Sequence, residues 1–239
     1  TLKFTIYRPL LCISLNNAAL EEKDHTKFLG VIIDNRLKYK DHLHYLKPKV
    51  AKTIGIINKV KYKLPQPTLH NLYYTFIYPH LTYGIEIWGS CPASYSDPLY
   101  KLQKKALRII THSHPHAHSR ELFIHLKVLP LQDIYLQAVM IFMFKITNHL
   151  YPHDLFQNMF HLTHERHPYQ TRHASNMYYI PPFVRTNTVK RTIRSRGPYI
   201  WNLLHDSLPI TSSSISIFKA HLRSLLCQSP LTIRFFSTQ

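Results

Sequence analysis

The sequence predicts an α+β fold that is mostly α-helical, with a small antiparallel sheet edge first and a helical body after it. The first 34 residues contain short alternating or apolar segments separated by turn residues, which is typical of strands. From about residue 41, apolar residues recur every three or four positions, which is the period of a helix. Of 239 residues, 45% are hydrophobic, so the chain can bury a sizeable core.

Three strands are expected at the N-terminal end. Residues 2–7 alternate apolar with polar side chains, and residues 12–15 form a second short segment. The Asn pair at 16 and 17 predicts a turn, because Asn tolerates the left-handed conformation. The apolar run 27–34 predicts a buried strand that leads into a turn, with Gly30 allowing another backbone or a ligand to come close. We expect the three strands to form one small antiparallel sheet.

The first helix is predicted to begin near Asp41. Its apolar positions fall on one face: Leu43, Leu46, Val50, Ile54 and Ile57. Lysines project from the other side: Lys49, Lys52, Lys59 and Lys63. A second helical face over residues 69–77 is expected to end at Pro79, and the short link between the two helices predicts antiparallel packing.

A third helix, the second with a basic face, is predicted to start at Asp97. Its apolar face comprises Leu99, Leu102, Ala106, Ile109 and Ile110, and its opposite face carries Lys101, Lys104, Lys105 and Arg108. A solvated helix usually mixes both signs of charge. Positive charge on one side of two helices therefore indicates contact with a phosphate backbone, and a solvated basic face is the alternative.

Composition limits the possible partners and location. Thirty Lys and Arg against twelve Asp and Glu give a formal net charge of +18, which favours nucleic acid or an anionic membrane surface. No apolar run approaches the roughly 20 residues that cross a bilayer, so we expect no membrane span. Three widely spaced cysteines form neither a disulfide framework nor a zinc motif. Reduced thiols in an intracellular protein, nuclear or cytoplasmic, are expected.

Four histidines occupy every second position of one short segment: His112, His114, His116 and His118. An extended strand would place all four imidazoles on one side, where a metal could bind them. Pro115 and the lack of a nearby Cys or carboxylate cluster favour a polar loop instead.

The rest of the chain is predicted to be helical with one linker. Helical patterns are expected at residues 121–126, 131–145 and 217–226. A looser polar stretch at 152–180 indicates a linker, and a basic patch follows at 184–198.

The order of several segments resembles the polymerase region of reverse transcriptases from non-LTR (LINE-type) retrotransposons. The segment Lys27-Phe28-Leu29-Gly30-Val31-Ile32-Ile33-Asp34 is similar to the strand that forms the primer grip of that family. Other similar segments lie at residues 3–7, 54–57, 72–84, 87–89, 102–110, 171–172, 184–187 and 196–202. Together they extend over nearly the whole chain.

This resemblance implies four parts and one function. Residues 1–40 would be palm-edge strands with the primer-grip-like segment, 41–150 a thumb-like helical domain, 151–180 a linker and 181–239 a basic C-terminal region. For the intact protein it implies RNA-directed DNA synthesis. For this chain it implies an RNA/DNA duplex as partner, with Phe28, Leu29 and Gly30 near a primer end and the basic helices along the phosphates.

Catalysis is not expected from this chain. The resemblance implies clustered carboxylates that hold two Mg2+ ions, on palm strands that would lie before residue 1. The seven aspartates here are isolated in sequence, so we assign no catalytic residue, no metal site and no cofactor. The expected function is that of an inactive C-terminal fragment that retains duplex-binding surfaces. The alternatives are a protein-interaction module of polymerase ancestry and a nonfunctional pseudogene remnant.

Overall fold

Two short β-hairpins precede the helices. The computed structural model describes residues 14–16, 18–152, 156, 159–163, 178–208 and 214–228. Strands β1 (Ser14–Leu15) and β2 (Ala18–Ala19) are antiparallel, and Asn16 between them has the expected left-handed backbone. The strand expected over residues 2–7 lies outside the described residues, as do residues 12 and 13 of the second strand.

The second hairpin corrects the prediction for residues 27–34. Strands β3 (His25–Phe28) and β4 (Val31–Asp34) pair antiparallel, so the run is not one buried strand. Leu29 and Gly30 have φ values of 45° and 84°, which form a two-residue turn with both residues in the left-handed region. The prediction was wrong because Leu rarely adopts this conformation. The expected single sheet is also wrong, since the described strands form two separate two-stranded sheets.

The Asp34 carboxylate organises the passage from β4 into the first helix. It accepts backbone N–H groups from Arg36 at 3.0 Å and Lys38 at 3.1 Å, and also from Tyr39. Helix α1 (Lys40–Val60) follows, close to its predicted start. All five of its predicted apolar positions are buried, which confirms the predicted face.

A nearly continuous helical run comes next and extends further than predicted. It consists of α2 (Gln66–Leu72), a π-helical turn (Tyr73–Ile77) and α3 (Tyr78–Thr82). The expected end at Pro79 is wrong, because the π-helical turn places this proline in the first turn of α3, where its missing N–H breaks no helical hydrogen bond.

The run packs antiparallel to α1, as predicted. Residues 61–65 join the end of α1 to the start of α2. At the other end, the ring of His42 near the start of α1 lies against the ring of Trp88, with centroids 5.6 Å apart and the ring planes tilted by 56°. Trp88 lies in the short helix α4 (Ile85–Trp88), which follows the run after Gly84.

Helix α5 (Ala93–Ile110) begins four residues before its predicted start at Asp97. It packs beside α1 in the same direction. Near their N-terminal ends the two helices share a groove lined by Lys40, His44, Ser94 and Pro98. Near their C-terminal ends a second groove is lined by Lys61, Tyr62, Lys105 and His112. Because the N-terminal ends of α1 and α5 lie together and their C-terminal ends lie together, the two helices are parallel.

A buried amide links α5 to its neighbours. The Gln103 side chain donates to the Tyr73 hydroxyl and to the Leu129 carbonyl, both at 2.9 Å, and accepts the Leu131 N–H at 2.9 Å. Leaving such a group without partners would cost about 1–3 kcal/mol. The contact joins α5, the π-helical turn and the start of α7 (Leu131–Thr147), while α6 (Ser119–His125) covers α5 from another side.

The described C-terminal region contains four helical segments: α8 (Asn187–Lys190), α9 (Ile193–Leu204), a 3-10 turn (His205–Ser207) and α10 (Ile215–Gln228). Of these, α9 and α10 pack on α7. Phe144 of α7 stacks on Phe218 of α10 with centroids 4.2 Å apart, and α10 confirms the helix predicted at 217–226.

The sequence did not predict α9, because Gly197 and Pro198 interrupt its pattern. A Cβ on Gly197 would lie 2.7 Å from the Met143 sulfur, so glycine allows α9 to approach α7 closely. One hydrophobic cluster extends from Val31 to Leu226. The predicted fold class, mostly α-helical with a small antiparallel β component first, is confirmed.

Candidate nucleic-acid interface

The tip of the second hairpin is fixed against the helical body by Tyr83. Its hydroxyl donates a hydrogen bond to the Leu29 carbonyl, and its ring lies 3.3 Å from where a Cβ of Gly30 would be. Gly30 therefore allows the close approach that the sequence predicted, and the approaching group is a side chain. Phe28 and Leu29 remain 63% and 75% exposed.

Two lysines meet around Tyr45 beside this hairpin. Lys49 of α1 donates a 2.6 Å hydrogen bond to the Tyr45 hydroxyl, with its Nζ 4.0 Å from the ring centroid. Lys27 of β3 lies with its Nζ 5.4 Å from the same centroid. The hydrogen bond from Lys49 and the nearby ammonium charges lower the pKa of Tyr45. The structure thus adds Lys27, which was not among the predicted site residues.

The buried His42 joins the same hairpin to α1. Its Nδ1 accepts the backbone N–H of Ile32 in β4 at 3.3 Å. Burial lowers the pKa of this imidazole, because its charged form would lose hydration. The neutral ring is therefore the form that fits the contact.

The remaining predicted lysines of α1 are open to solvent. Lys52 and Lys59 are exposed on the helix, and Lys63 is exposed just beyond its end at Val60. Within the described part of the chain, none of the predicted basic site residues lies within ion-pair distance of a carboxylate. Their charge is therefore available to a polyanion.

The predicted basic residues of α5 have three different environments. Lys101 and Lys105 are exposed, while the Nζ of Lys104 lies 4.1 Å from the centroid of the Tyr100 ring. Arg108 donates from both Nε and Nη2 to the Ala117 carbonyl, each at 3.0 Å. Arg108 thereby holds the loop that follows α5, in addition to contributing positive charge.

The groove between the C-terminal ends of α1 and α5 contains aromatic as well as basic side chains. Its volume is about 520 Å³, and its lining residues are Asn58, Lys61, Tyr62, Lys105, Arg108, Ile109, His112, Ser113 and Pro115. Tyr62 is 83% exposed, and its ring centroid lies 5.7 Å from that of His112. We refer to this site as the Tyr62 groove.

Among the basic and aromatic residues that line the Tyr62 groove, sequence reasoning missed two. Lys61 and Tyr62 were not among the predicted site residues, although the sequence Lys59-Val60-Lys61-Tyr62-Lys63 places an aromatic residue between lysines. Aromatic residues interleaved with basic ones are a signal of nucleic-acid contact, because the rings stack on bases. His112 was considered only as a possible metal ligand.

The alternating histidines lie in an irregular loop between α5 and α6. His114 and His116 are 5.4 Å apart between ring centroids. Across the described ranges, no three His, Cys, Asp or Glu side chains are grouped so that they could hold a metal ion. The described carboxylates therefore do not fit a two-Mg2+ site, and we derive no catalytic step through magnesium.

Neither a known family model nor a solved structure matches the chain. The chain is 28% identical over 125 residues to the RNA-directed DNA polymerase from mobile element jockey of Drosophila melanogaster, which covers 51% of this chain and 14% of that protein. It is 27% identical over 103 residues to the probable RNA-directed DNA polymerase from transposon X-element of the same fly, covering 41% and 11%.

A third relative matches with similarly low identity over a similarly short region. The probable RNA-directed DNA polymerase from transposon BS of Drosophila melanogaster is 28% identical over 105 residues, covering 41% of this chain and 11% of that protein. The matched region is therefore a small part of each curated relative.

None of the described helices combines the length and the apolarity that a bilayer crossing requires.

Proposed function

The chain is similar over about half of its length to RNA-directed DNA polymerases of non-LTR retrotransposons, and we propose that it binds the RNA/DNA duplex on which such a polymerase acts. In this proposal it is a C-terminal fragment of the polymerase that grips the duplex and does not supply the catalytic carboxylates. The single observation that carries the proposal is the set of lysines on α1 and α5 that have no carboxylate partner in the described structure.

Lysines of this kind bind a duplex through its phosphates. Each neutralised phosphate releases condensed counterions, so affinity falls as salt concentration rises. Such contacts position a duplex without reading its sequence. This agrees with a polymerase, which must hold any sequence that it copies.

The second hairpin would contact the primer end. Phe28 and Leu29 extend from its tip, and the bond from Tyr83 to the Leu29 carbonyl fixes that tip against the helices. Lys27 and Lys49 lie next to it around Tyr45. In our proposal these lysines bind the phosphates nearest the primer end.

Catalysis and location complete the proposal. We assign the chemical step of the intact polymerase to groups other than those described here, because two-metal catalysis needs clustered carboxylates. We also propose an intracellular location. Cys91 and Cys227 are free thiols in the structure, in agreement with a reducing compartment.

The salt dependence of duplex binding tests the proposal. Dissociation constants for an RNA/DNA duplex would be measured by fluorescence anisotropy over a range of salt, for the wild type and for a variant with Lys49, Lys52, Lys59 and Lys63 all changed to alanine. Each lost phosphate contact is expected to flatten the slope of log affinity against log salt by about 0.7–0.9. An unchanged slope would exclude this face of α1.

A matched control distinguishes the loss of a specific binding surface from a general loss of positive charge. Four other exposed lysines are available for the same loss of charge: Lys23, Lys127, Lys190 and Lys219. Changing them to alanine is expected to alter the slope less than the α1 variant does. Equal effects from both variants would contradict a binding surface on α1.

A second function, self-association or binding to a partner protein, is favoured by the exposed apolar tip of the second hairpin. Side chains of Phe28 and Leu29 in solvent are typical of a contact surface. Changing both to serine distinguishes the two functions. Reduced affinity for the duplex supports the primer-end contact, whereas unchanged affinity together with loss of self-association in sedimentation experiments supports protein binding.

A further inference from the structure

The Tyr62 groove has features that a duplex does not use. Duplex phosphates need positive charge, and an exposed aromatic ring adds little to such a contact because paired bases are stacked on each other. Tyr62 nevertheless presents most of its ring to solvent, beside His112. An unpaired base has a free face that can stack on an aromatic side chain.

The charges around the ring suit a single phosphate. The Nζ of Lys61 lies 4.8 Å from the centroid of the Tyr62 ring, and Lys105 lines the same groove from α5. No Asp or Glu is among the residues that line the groove. Its volume of about 520 Å³ lies within the range of small-ligand sites, roughly 300–1,000 Å³.

The His112 side of the groove is held in place by the end of α5. His112 has a left-handed backbone with φ 53°, which is uncommon for a residue other than glycine. The Ser113 N–H donates to the Arg108 carbonyl at 2.9 Å, and the Arg108 guanidinium holds Ala117 further along the loop. These bonds hold the backbone segment that carries the imidazole beside Tyr62.

We propose that the Tyr62 groove binds one unpaired nucleotide of a nucleic-acid strand that continues beyond a duplex. The base stacks on Tyr62 with His112 beside it, and its phosphate lies between Lys61 and Lys105. This inference rests on the proposed function and names a second type of substrate for the same basic surface: a single-stranded extension.

The test compares two probes that differ only in the extension. One is a blunt RNA/DNA duplex, and the other is the same duplex with a short run of unpaired deoxyadenosines at one end. The full chain is expected to bind the extended probe about tenfold more tightly, which is within the range for one stacked base. Tyr62→Ala is expected to remove this gain and to leave binding of the blunt probe unchanged.

Tyr62→Phe provides the matched variant. It keeps the ring and removes the hydroxyl, so it is expected to retain the tenfold gain. Because Tyr62 is 83% exposed, its truncation is not expected to change folding, and a thermal unfolding curve of each variant checks this. Free deoxyadenosine monophosphate is expected not to displace the extended probe at comparable concentrations.

Three results would overturn the inference: equal affinity of the wild type for both probes, equal loss on both probes in Tyr62→Ala, or displacement by the free nucleotide. The proposed function has a separate outcome. If the blunt probe does not bind but a single-stranded deoxyadenosine oligonucleotide binds in a Tyr62-dependent manner, duplex binding is wrong and the nucleotide site stands.

Discussion

The hydroxyl of Tyr83 donates a hydrogen bond to the backbone carbonyl of Leu29, a residue 54 positions earlier in the chain. This contact joins the tip of the second hairpin to the segment between α3 and α4. Together with the bond from the Ile32 N–H to His42, it holds the proposed primer-end contact against the helical body. The orientation of the hairpin therefore depends on a residue that the sequence did not mark as part of the site.

Removing this hydroxyl tests the contact. Tyr83→Phe is expected to lower the free energy of unfolding by about 0.5–1.5 kcal/mol, which is the net value of a typical hydrogen bond. Urea denaturation measures the change. Tyr199→Phe on α9 is the control, since that side chain is 54% exposed and its hydroxyl has no partner in the described structure. Equal losses in the two variants would show that the Tyr83 bond contributes nothing.

Substitution by alanine is expected to have opposite effects on stability at two glycines. Gly30→Ala is expected to destabilise the protein by about 1–2 kcal/mol, because φ is +84° and the new Cβ would lie 3.3 Å from the Tyr83 ring. Gly55→Ala lies within α1 with no heavy atom within 4 Å of the new Cβ, and is expected to stabilise by about 0.5–1 kcal/mol. Calorimetry of both variants shows whether each substitution raises or lowers stability. A stabilising Gly30→Ala would contradict the left-handed turn.

Stability is expected to fall in mild acid because of His42. Burial lowers its pKa in the folded state below the ordinary value of 6.5, so below that pH the unfolded state binds more protons. The stabilising contribution is therefore complete above 6.5 and is lost as pH falls from 6.5 through the lower folded pKa. Protonation of Nδ1 also removes the acceptor of the Ile32 N–H.

Urea denaturation at about pH 5 and about pH 8 measures this dependence. His42→Asn keeps an acceptor without a titrating group, so the difference between the two pH values is expected to become smaller. Some dependence is expected to remain, because burial and the charge of Lys49 lower the pKa of His80 as well. His44→Asn, at an exposed position of α1, controls for the loss of an imidazole. An unchanged pH dependence in His42→Asn would exclude the buried ring as its source.

The candidate site was only partly predictable. The exposed lysines of α1 could be found because their spacing relative to the apolar residues is local information. The Tyr62 groove could not be found from local spacing, because Tyr62 and His112 are brought together by the parallel packing of α1 on α5. Arg108 was predicted as a basic residue, but its two hydrogen bonds to Ala117 depend on a loop conformation that no spacing indicates.

The sequence by itself determined that helices lie near the positions of α1, α5, α7 and α10, although α5 begins four residues before the predicted Asp97. It also indicated the buried faces of α1, α5 and α10, because a helix is closed by bonds between near neighbours and its apolar period repeats along the chain. Only the tertiary structure decided that residues 29 and 30 reverse the chain, and that Gly197 lets α9 approach α7. The reason is that left-handed backbone at Leu29 and close approach at Gly197 are stabilised by partners distant in sequence, Tyr83 and Met143, whose positions no local pattern contains.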